Sequence, residues 1–308
     1  MFKSLSSALT LTLAALAAVS VTTMATATAT ATAAAPGGPY AQFQYCPYNN
    51  TNVGACFIST TTTGAFKIGN ANVPITMPIV LQGGVVGIGA PSPVYAAIGA
   101  PTLSPTALPV PGGLLGLMNP NSSWPGPLLH LFWTIVDTAN DVTATAELVG
   151  PAQAYLTEAI APDPGVTAVQ LPIRIHLQNP LLGNTCYIGS ATKPIVLNLV
   201  VGTTSPPPPN QPITGVPATL NVNTTTNPDG YILNADNSTL VDNAFAAPAA
   251  SGCGSALNLP IVTSLVQVLI TTAVNLKEGL PSAAGNNSAS LSGNTAISNS
   301  TYVQAAAQ

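Results

Sequence analysis

Charged side chains are the scarcest class in this sequence. Its 308 residues include five Lys and Arg and nine Asp and Glu, which gives a formal net charge of -4. A protein that binds nucleic acid needs a patch of basic side chains to neutralise phosphates, and so few cations cannot form one. The sequence therefore predicts no nucleic-acid partner.

The low charge does not indicate disorder. Hydrophobic residues make up 47% of the chain, whereas disordered chains have too few apolar residues to form a core. Thr, Ser, Asn and Gln must then cover most of the surface. This composition is common among exported proteins with β-rich folds.

Motifs of the common enzyme classes are also missing. The sequence has no G-x-S-x-G elbow, no phosphate-binding loop and no dinucleotide-binding glycine motif. Its two histidines are His130, in an apolar run, and His176, on a polar strand face. None of the nine carboxylates stands in the setting of a glycosidase pair. We expect a protein that is not an enzyme and binds no cofactor.

Metal-ligand patterns are absent as well. Asp229, Asn234, Asp236 and Asp242 provide oxygen ligands in one segment, but their spacing does not match a calcium-binding EF-hand loop. Turn formation explains them better. The cysteines lack the short spacing of a zinc site, so no metal site is expected.

The first 35 residues have the pattern of a signal peptide. Lys3 precedes an apolar run over residues 8–21, and alternating Ala and Thr then offer several A-x-A cleavage sites up to Ala35. The apolar run is shorter than the roughly 20 residues that cross a membrane. We predict cleavage of residues 1–35, a secreted extracellular protein, and no stable membrane span after cleavage.

Four cysteines follow the predicted signal peptide. An even number in an exported chain indicates two disulfides, for which three pairings are possible. Cys46 and Cys56 enclose nine residues rich in turn formers, which favours a local bridge. The favoured pairing is therefore Cys46 with Cys56 and Cys186 with Cys253.

Strand patterns dominate residues 36–308. Leu171, Ile173, Ile175 and Leu177 alternate with polar residues, and a continuous apolar run follows at 194–201. We also expect strands over 57–63, 65–68 and 141–149 and a last weak strand within 289–303. Residues 83–113 are expected to form a long Gly- and Pro-rich irregular loop with short extended pieces. The predicted fold is mainly all-β, an antiparallel β-sandwich with long Gly/Pro-rich loops.

One helix is predicted near the C-terminus, over residues 261–277. Polar residues recur there at helical spacing, and Gly279 and Pro281 follow as stop signals. The whole of 36–308 is expected to form a single β-rich extracellular domain. Similarity between 76–87 and 192–202 raises the alternative of two related β-units, about 36–150 and 151–308, although chance explains this similarity equally well.

Four residues are candidates for ligand binding. Trp124 and Trp133 could stack on a sugar ring or an apolar molecule. Arg174 and His176 lie two residues apart on the polar face of one predicted strand. Such a pair could hold an anion, but ordinary solvent-facing polarity is the favoured interpretation.

Several segments resemble a set of uncharacterised secreted proteins of actinobacteria. The similar segments in the second half are LPIRIHLQNPLLGNTCYIGS, PIVLNLVVGTTSPPPPNQPITG, LVDNAFAAPAASGCG and LPSAAGNN. The first half adds CPYNN, ACFISTTTTGAFKIGNANVPITMPIVLQGG and LPVPGGLLGL. The resemblance implies export, and it implies no activity, ligand or catalytic residue.

Three functional hypotheses follow. The favoured one is a secreted, non-enzymatic protein that acts at the cell surface or in the extracellular matrix through adhesion or assembly. The alternative is a binding module for a glycan, such as one of the cell wall, or for a small apolar ligand. A secreted hydrolase with an unrecognised site is the least favoured.

Overall fold

A computed structural model describes most of the chain after the predicted signal peptide. The described residues are 34–120, 124–160, 162–163, 165–226, 228–255 and 263–308. Residues 1–33 of the predicted signal peptide lie outside this part, as do the first two residues of the predicted helix. In the described part, no helix is both long and apolar enough to span a membrane.

The protein is mainly β, and its strands form two antiparallel sheets that pack as a sandwich, as predicted. The strands of sheet A are β1 (Ala55–Ile68), β2 (Ala71–Pro74), β3 (Ile79–Val85), β5 (Tyr95–Ala96), β12 (Thr219–Thr226), β13 (Asp229–Asp242) and β15 (Ser288–Asn299). Their order across the sheet is β12-β13-β15-β1-β3-β5, and β2 also pairs with β1.

The strands of sheet B are β4 (Ser92–Pro93), β6 (Ala107–Pro109), β7 (Thr143–Leu148), β8 (Gln153–Ala154), β9 (Val169–Gln178), β10 (Tyr187–Ile188), β11 (Ile195–Leu199) and β14 (Ala250–Ser251). The sheet is centred on β9 and has the order β14-β10-β9-β7-β6, with β11 and β8 also paired to β9 and β4 paired to β8. Both sheets take strands from before and after residue 150. That residues 36–150 and 151–308 are two related β-units stays a prediction.

Short helices surround the sandwich. They are a 3-10 helix (Gly38–Phe43), α1 (Gly113–Leu117), α2 (Gly126–Ala139), α3 (Leu156–Ile160), α4 (Thr263–Glu278) and α5 (Ser300–Ala305). The predicted C-terminal helix is α4, and it ends where Gly279 adopts a positive φ of 64°, a conformation that glycine adopts without strain.

Strand β1 differs from the prediction because it is one continuous strand that contains a bulge. The sequence predicted two strands interrupted at Gly64. Instead β1 runs through this position, with a register shift between Thr61 and Thr63. A bulge adds one residue and so reverses which alternate residues face inward. Phe57 and Phe66 therefore both reach the core although they are nine positions apart.

A second bulge, in β13, lies directly across β15 from the first. Thr61 and Ser238 both pair with Gly293. A Cβ at Gly293 would lie 2.0 Å from the carbonyl oxygen of Thr60. Glycine is thus required at the point where both neighbouring strands bulge.

Both predicted disulfides are present. Cys46 bonds to Cys56, and Cys186 bonds to Cys253. The second bridge joins the loop before β10 to the segment after β14, close to α4. Two disulfides are typical of proteins that fold in an oxidising environment.

Candidate functional site

Arg174 and His176 lie side by side on β9, on the face of sheet B that points away from sheet A. Glu147 of β7 pairs with Arg174 in the register of the sheet. Oε2 of Glu147 accepts hydrogen bonds from Nη2 and Nε of Arg174 at 2.7 and 2.8 Å. Oε1 of Glu147 lies 3.3 Å from Nδ1 of His176. The predicted positive pair is therefore balanced by a carboxylate from the next strand.

Tyr187 of β10 covers the same pair from the other side. Its ring stacks on His176 at a centroid distance of 4.4 Å, and the guanidinium carbon of Arg174 lies 4.0 Å from the ring centroid. His176 is 9% exposed, so the expectation of a solvent-facing pair is wrong for this residue. Glu147 of β7 and Tyr187 of β10 shield His176 from solvent, because each of the two strands next to β9 places a large side chain against it.

This cluster offers little for anion binding or acyl transfer. Glu147 already occupies the position that an anion would take beside Arg174. In the described part of the chain, Nε2 of His176 has no hydrogen-bond partner, so no hydroxyl or thiol is held by this base as acyl transfer requires. The geometry explains a structural cluster more readily than a ligand site.

Both tryptophans pack edge-on against Phe132. Trp124 is buried and meets Phe132 edge-on at 5.7 Å, and Trp133 of α2 meets the same ring at 5.3 Å. Trp133 is 46% exposed, which leaves part of its ring open to a partner. Trp124 instead lines a surface groove with residues of α4, including Leu269.

A different feature stands out between the two sheets, where the inward side chains leave two small cavities. The first, here called the proximal cavity, has a volume of about 50 Å³. Its lining is almost wholly apolar and consists of Phe66, Ile68, Ala71, Val73, Ile79, Leu108, Val110, Leu117, Ala144, Ala146, Ile175, Leu177 and Ile188, with Ser104, Thr106 and Glu278.

The second, the distal cavity, also has a volume of about 50 Å³. Phe66, Ile79 and Ala146 line both cavities and so form the partition between them. An empty apolar space costs about 24 cal/mol per Å³, or roughly 1 kcal/mol for each of these cavities. The space between the sheets is therefore a measurable loss of packing unless something fills it.

Glu278 is the one charged residue at the wall of the proximal cavity among the described residues. Val266, Ile270 and Val274 form the buried stripe of α4, and Glu278 occupies the next position of the same i, i+4 series. It is 3% exposed. A carboxyl thus occupies a buried position of α4 at which the i, i+4 spacing of apolar residues predicts an apolar side chain.

Burial raises the pKa of Glu278 to about 7, and the neighbouring positive charge of Lys277 opposes this shift. Oε2 of Glu278 has no hydrogen-bond partner among the described residues. A carboxylate at the C-terminal end of a helix is also disfavoured by the helix dipole, which is negative there. The carboxyl thus sits in an unfavourable environment for its charged form.

The turn between β1 and β2 fixes the end of α4. The backbone N–H of Asn70 donates to the carbonyl of Glu278 at 2.9 Å, and its side-chain amide donates to the carbonyl of Lys277 at 2.8 Å. Gly69 has a φ of 58°, and a Cβ there would lie 1.9 Å from the carbonyl oxygen of Glu278. This tight turn keeps the Glu278 backbone against sheet A.

A groove on the surface adjoins the proximal cavity at Glu278. This Asn72 groove has a volume of about 420 Å³ and is lined by Asn70, Ala71, Asn72, Val110, Pro111, Gly116, Lys277 and Glu278. Ala71, Val110 and Glu278 line both spaces. The carboxyl therefore stands at the boundary between an apolar interior and the outside.

No protein-family model matches this chain, and neither curated proteins nor solved structures include a significantly similar one. The described residues also contain no group of three or more His, Cys, Asp or Glu side chains placed to hold a metal. The site must be interpreted from its own geometry.

Three residues of these sites were not predicted from the sequence, namely Glu278, Glu147 and Tyr187. Glu278 had a signal, because a carboxylate at the last position of an apolar i, i+4 series opposes both the burial pattern and the helix dipole. Glu147 and Tyr187 had none, because strand pairing cannot be deduced from one sequence.

Proposed function

We propose that this protein is a secreted, non-enzymatic binding module that holds a small apolar ligand between its two sheets. The observation that carries the proposal is the pair of adjoining apolar cavities at the centre of the sandwich. Small-molecule sites are mostly apolar and contain few polar groups. The proximal cavity has this character, with Glu278 at its boundary.

The size of the cavities defines the ligand. A cavity of about 150 Å³ holds benzene in another protein, and the two cavities here have about 50 Å³ each. A short alkyl chain fits this space better than a ring. Movement of Phe66, which belongs to the partition, would join the two cavities and admit a longer chain.

Xenon is a suitable first probe because it enters small apolar cavities without needing a polar partner. We expect saturable xenon binding by the wild-type protein, detected as shifts of methyl NMR signals around Ala146. Ala146→Leu should abolish the shifts because it places three more carbons at the partition. Ala65→Leu is the matched control, since Ala65 lies next to Phe66 and points to the opposite face.

Two results would contradict the proposal. One is the absence of saturable xenon binding by the wild-type protein. The other is equal binding by the wild-type protein and Ala146→Leu, which would place xenon elsewhere.

Assembly is a second candidate function, supported by the edge strand β12. It is eight residues long and contains no charged residue or proline. Leu220 and Val222, on one face, are 48% and 56% exposed. Proteins usually protect such edges with charges, prolines or bulges, and the pairing of β12 with β13 has no register shift.

The proposed partner at this edge is a second copy of the chain, paired β12 to β12. Sedimentation velocity should show a dimer that dissociates on dilution. Val222→Lys should weaken the dimer because it places a cation on the edge strand. Thr63→Lys, which adds the same charge on β1, should not. A protein that stays monomeric at its highest attainable concentration would exclude this assembly.

A further inference from the structure

The buried carboxyl of Glu278 would gain no hydrogen bond from a purely apolar ligand. Its carboxyl lines the proximal cavity and the Asn72 groove at once. It is buried, and its Oε2 has no hydrogen-bond partner in the described structure. Buried polar groups nearly always have a partner, so an unpaired oxygen at the wall of a cavity indicates a missing donor.

The polar groups nearby are already engaged. Ser104 and Thr106 line the cavity and are hydrogen-bonded to each other at 2.9 Å, and Thr106 also donates to the carbonyl of Pro78. The side-chain amide of Asn70 donates to a backbone carbonyl of α4. Among the described residues that line the proximal cavity, Glu278 alone has a buried side-chain atom without a partner.

The electrostatic environment favours a cation as the missing donor. The carbonyl end of α4 is negative, and the Glu278 carboxylate adds to it. Lys277 is exposed, and although its charge lowers the pKa of Glu278, the two side chains form no ion pair in the described part of the chain. A ligand cation at Oε2 would compensate the charge that the protein leaves unpaired.

We infer that the site binds a short primary alkylamine, with its ammonium group donating to Oε2 of Glu278 and its alkyl chain in the proximal cavity. This inference rests on the proposed function and specifies its ligand class. Benzene in a cavity of about 150 Å³ has about 25 Å³ per carbon, so the proximal cavity holds about two carbons, and movement of Phe66 would give about two more carbons access to the distal cavity. The ammonium stays at the boundary with the Asn72 groove.

Binding of the ammonium requires the ionised carboxyl and therefore depends on pH. With a Glu278 pKa of about 7, the ionised fraction falls from about nine-tenths at pH 8 to about one-tenth at pH 6. The apparent affinity should fall about tenfold over this range. Among the described residues, the charged groups on the elements packed around Glu278 are Lys67 on β1 and Lys277 on α4.

The test compares n-butylamine with n-butanol, which has the same chain and a neutral head. Isothermal calorimetry near pH 8 should show binding of n-butylamine at least tenfold tighter than that of n-butanol, because a charge-assisted hydrogen bond is the stronger one. Glu278→Gln should remove this preference. Glu158→Gln is the matched control, since Glu158 is also a buried glutamate but does not line the proximal cavity.

The outcomes separate this inference from the proposed function. Equal binding of the amine and the alcohol by the wild-type protein would overturn the inference, as would a preference retained in Glu278→Gln. Xenon binding that is unchanged in Glu278→Gln would show that the cavity itself is intact. Absence of xenon from both proteins would overturn the proposed function together with the inference.

Discussion

Replacement of Glu278 by Gln should make the protein more stable at high pH and leave its stability unchanged at low pH. The folded-state pKa of Glu278 is raised from 4.5 to about 7. The folded protein therefore binds more protons at this site than the unfolded chain between these two values. Stability must fall as the pH rises through this window, and the loss is complete above the folded pKa.

The size of this effect follows from the shift. One pKa unit corresponds to about 1.4 kcal/mol, so the rise from 4.5 to about 7 corresponds to a loss on the order of 3 kcal/mol. Gln has the shape of the protonated acid and does not ionise. The free energy of unfolding of Glu278→Gln should thus exceed that of the wild type by roughly 3 kcal/mol at about pH 8 and equal it at about pH 4.

Urea unfolding followed by tryptophan fluorescence measures both proteins with their disulfides intact. Asp242 is a second buried carboxyl whose pKa is raised by desolvation, against the effect of hydrogen bonds from Ala244 and Asn198. It contributes equally to the two proteins, so their difference isolates Glu278. A difference that is the same at both pH values would refute the reasoning, because it would have no link to ionisation.

Three further predictions concern stability. Replacing Arg174 and His176 together by alanine should cost about 1–3 kcal/mol in urea unfolding, because Glu147 loses both partners; a cost below about 0.5 kcal/mol would indicate an ordinary surface pair. Gly69→Ala should lower the melting temperature, since its Cβ would overlap the carbonyl of Glu278, and an unchanged value would contradict this packing. Replacing Cys186 and Cys253 should cost roughly 4 kcal/mol and replacing Cys46 and Cys56 roughly 3 kcal/mol, because the first pair closes the longer loop. Loss of the Cys186–Cys253 bond should also speed hydrogen exchange in α4 more than in β1.

The sequence predicts β9 well because its buried and polar residues alternate without interruption. Leu171 and Ile175 face the core as expected, and the pairing of all four cysteines follows from spacing and turn residues. These features are local, so a pattern along the chain is sufficient to identify them. The fold class follows from the number of such strands.

The same reasoning fails where neighbouring strands decide the outcome. The alternation of β1 changes phase at its bulge, which lies opposite Gly293 of β15. β15 itself is a central strand, although its small residues gave only a weak signal. Pairing across the sheet also explains why His176 is buried, because Tyr187 is brought to it from a separate strand.

Ionisation of Glu278 and binding of an amine have opposite effects on the stability of the folded protein. Ionisation leaves a buried carboxylate unpaired, and a bound ammonium group pairs with it. Well above pH 7 we expect the unpaired carboxylate to cost on the order of 3 kcal/mol, a large share of the roughly 5–15 kcal/mol typical of a folded protein. A ligand at about 100 times its dissociation constant contributes about 2.7 kcal/mol, which nearly offsets this cost. Saturating n-butylamine should therefore bring the wild-type protein close to the stability of Glu278→Gln at high pH. The amine should stabilise the variant far less, because the amide offers no charge to pair with. Equal stabilisation of both proteins would mean that the amine binds away from Glu278.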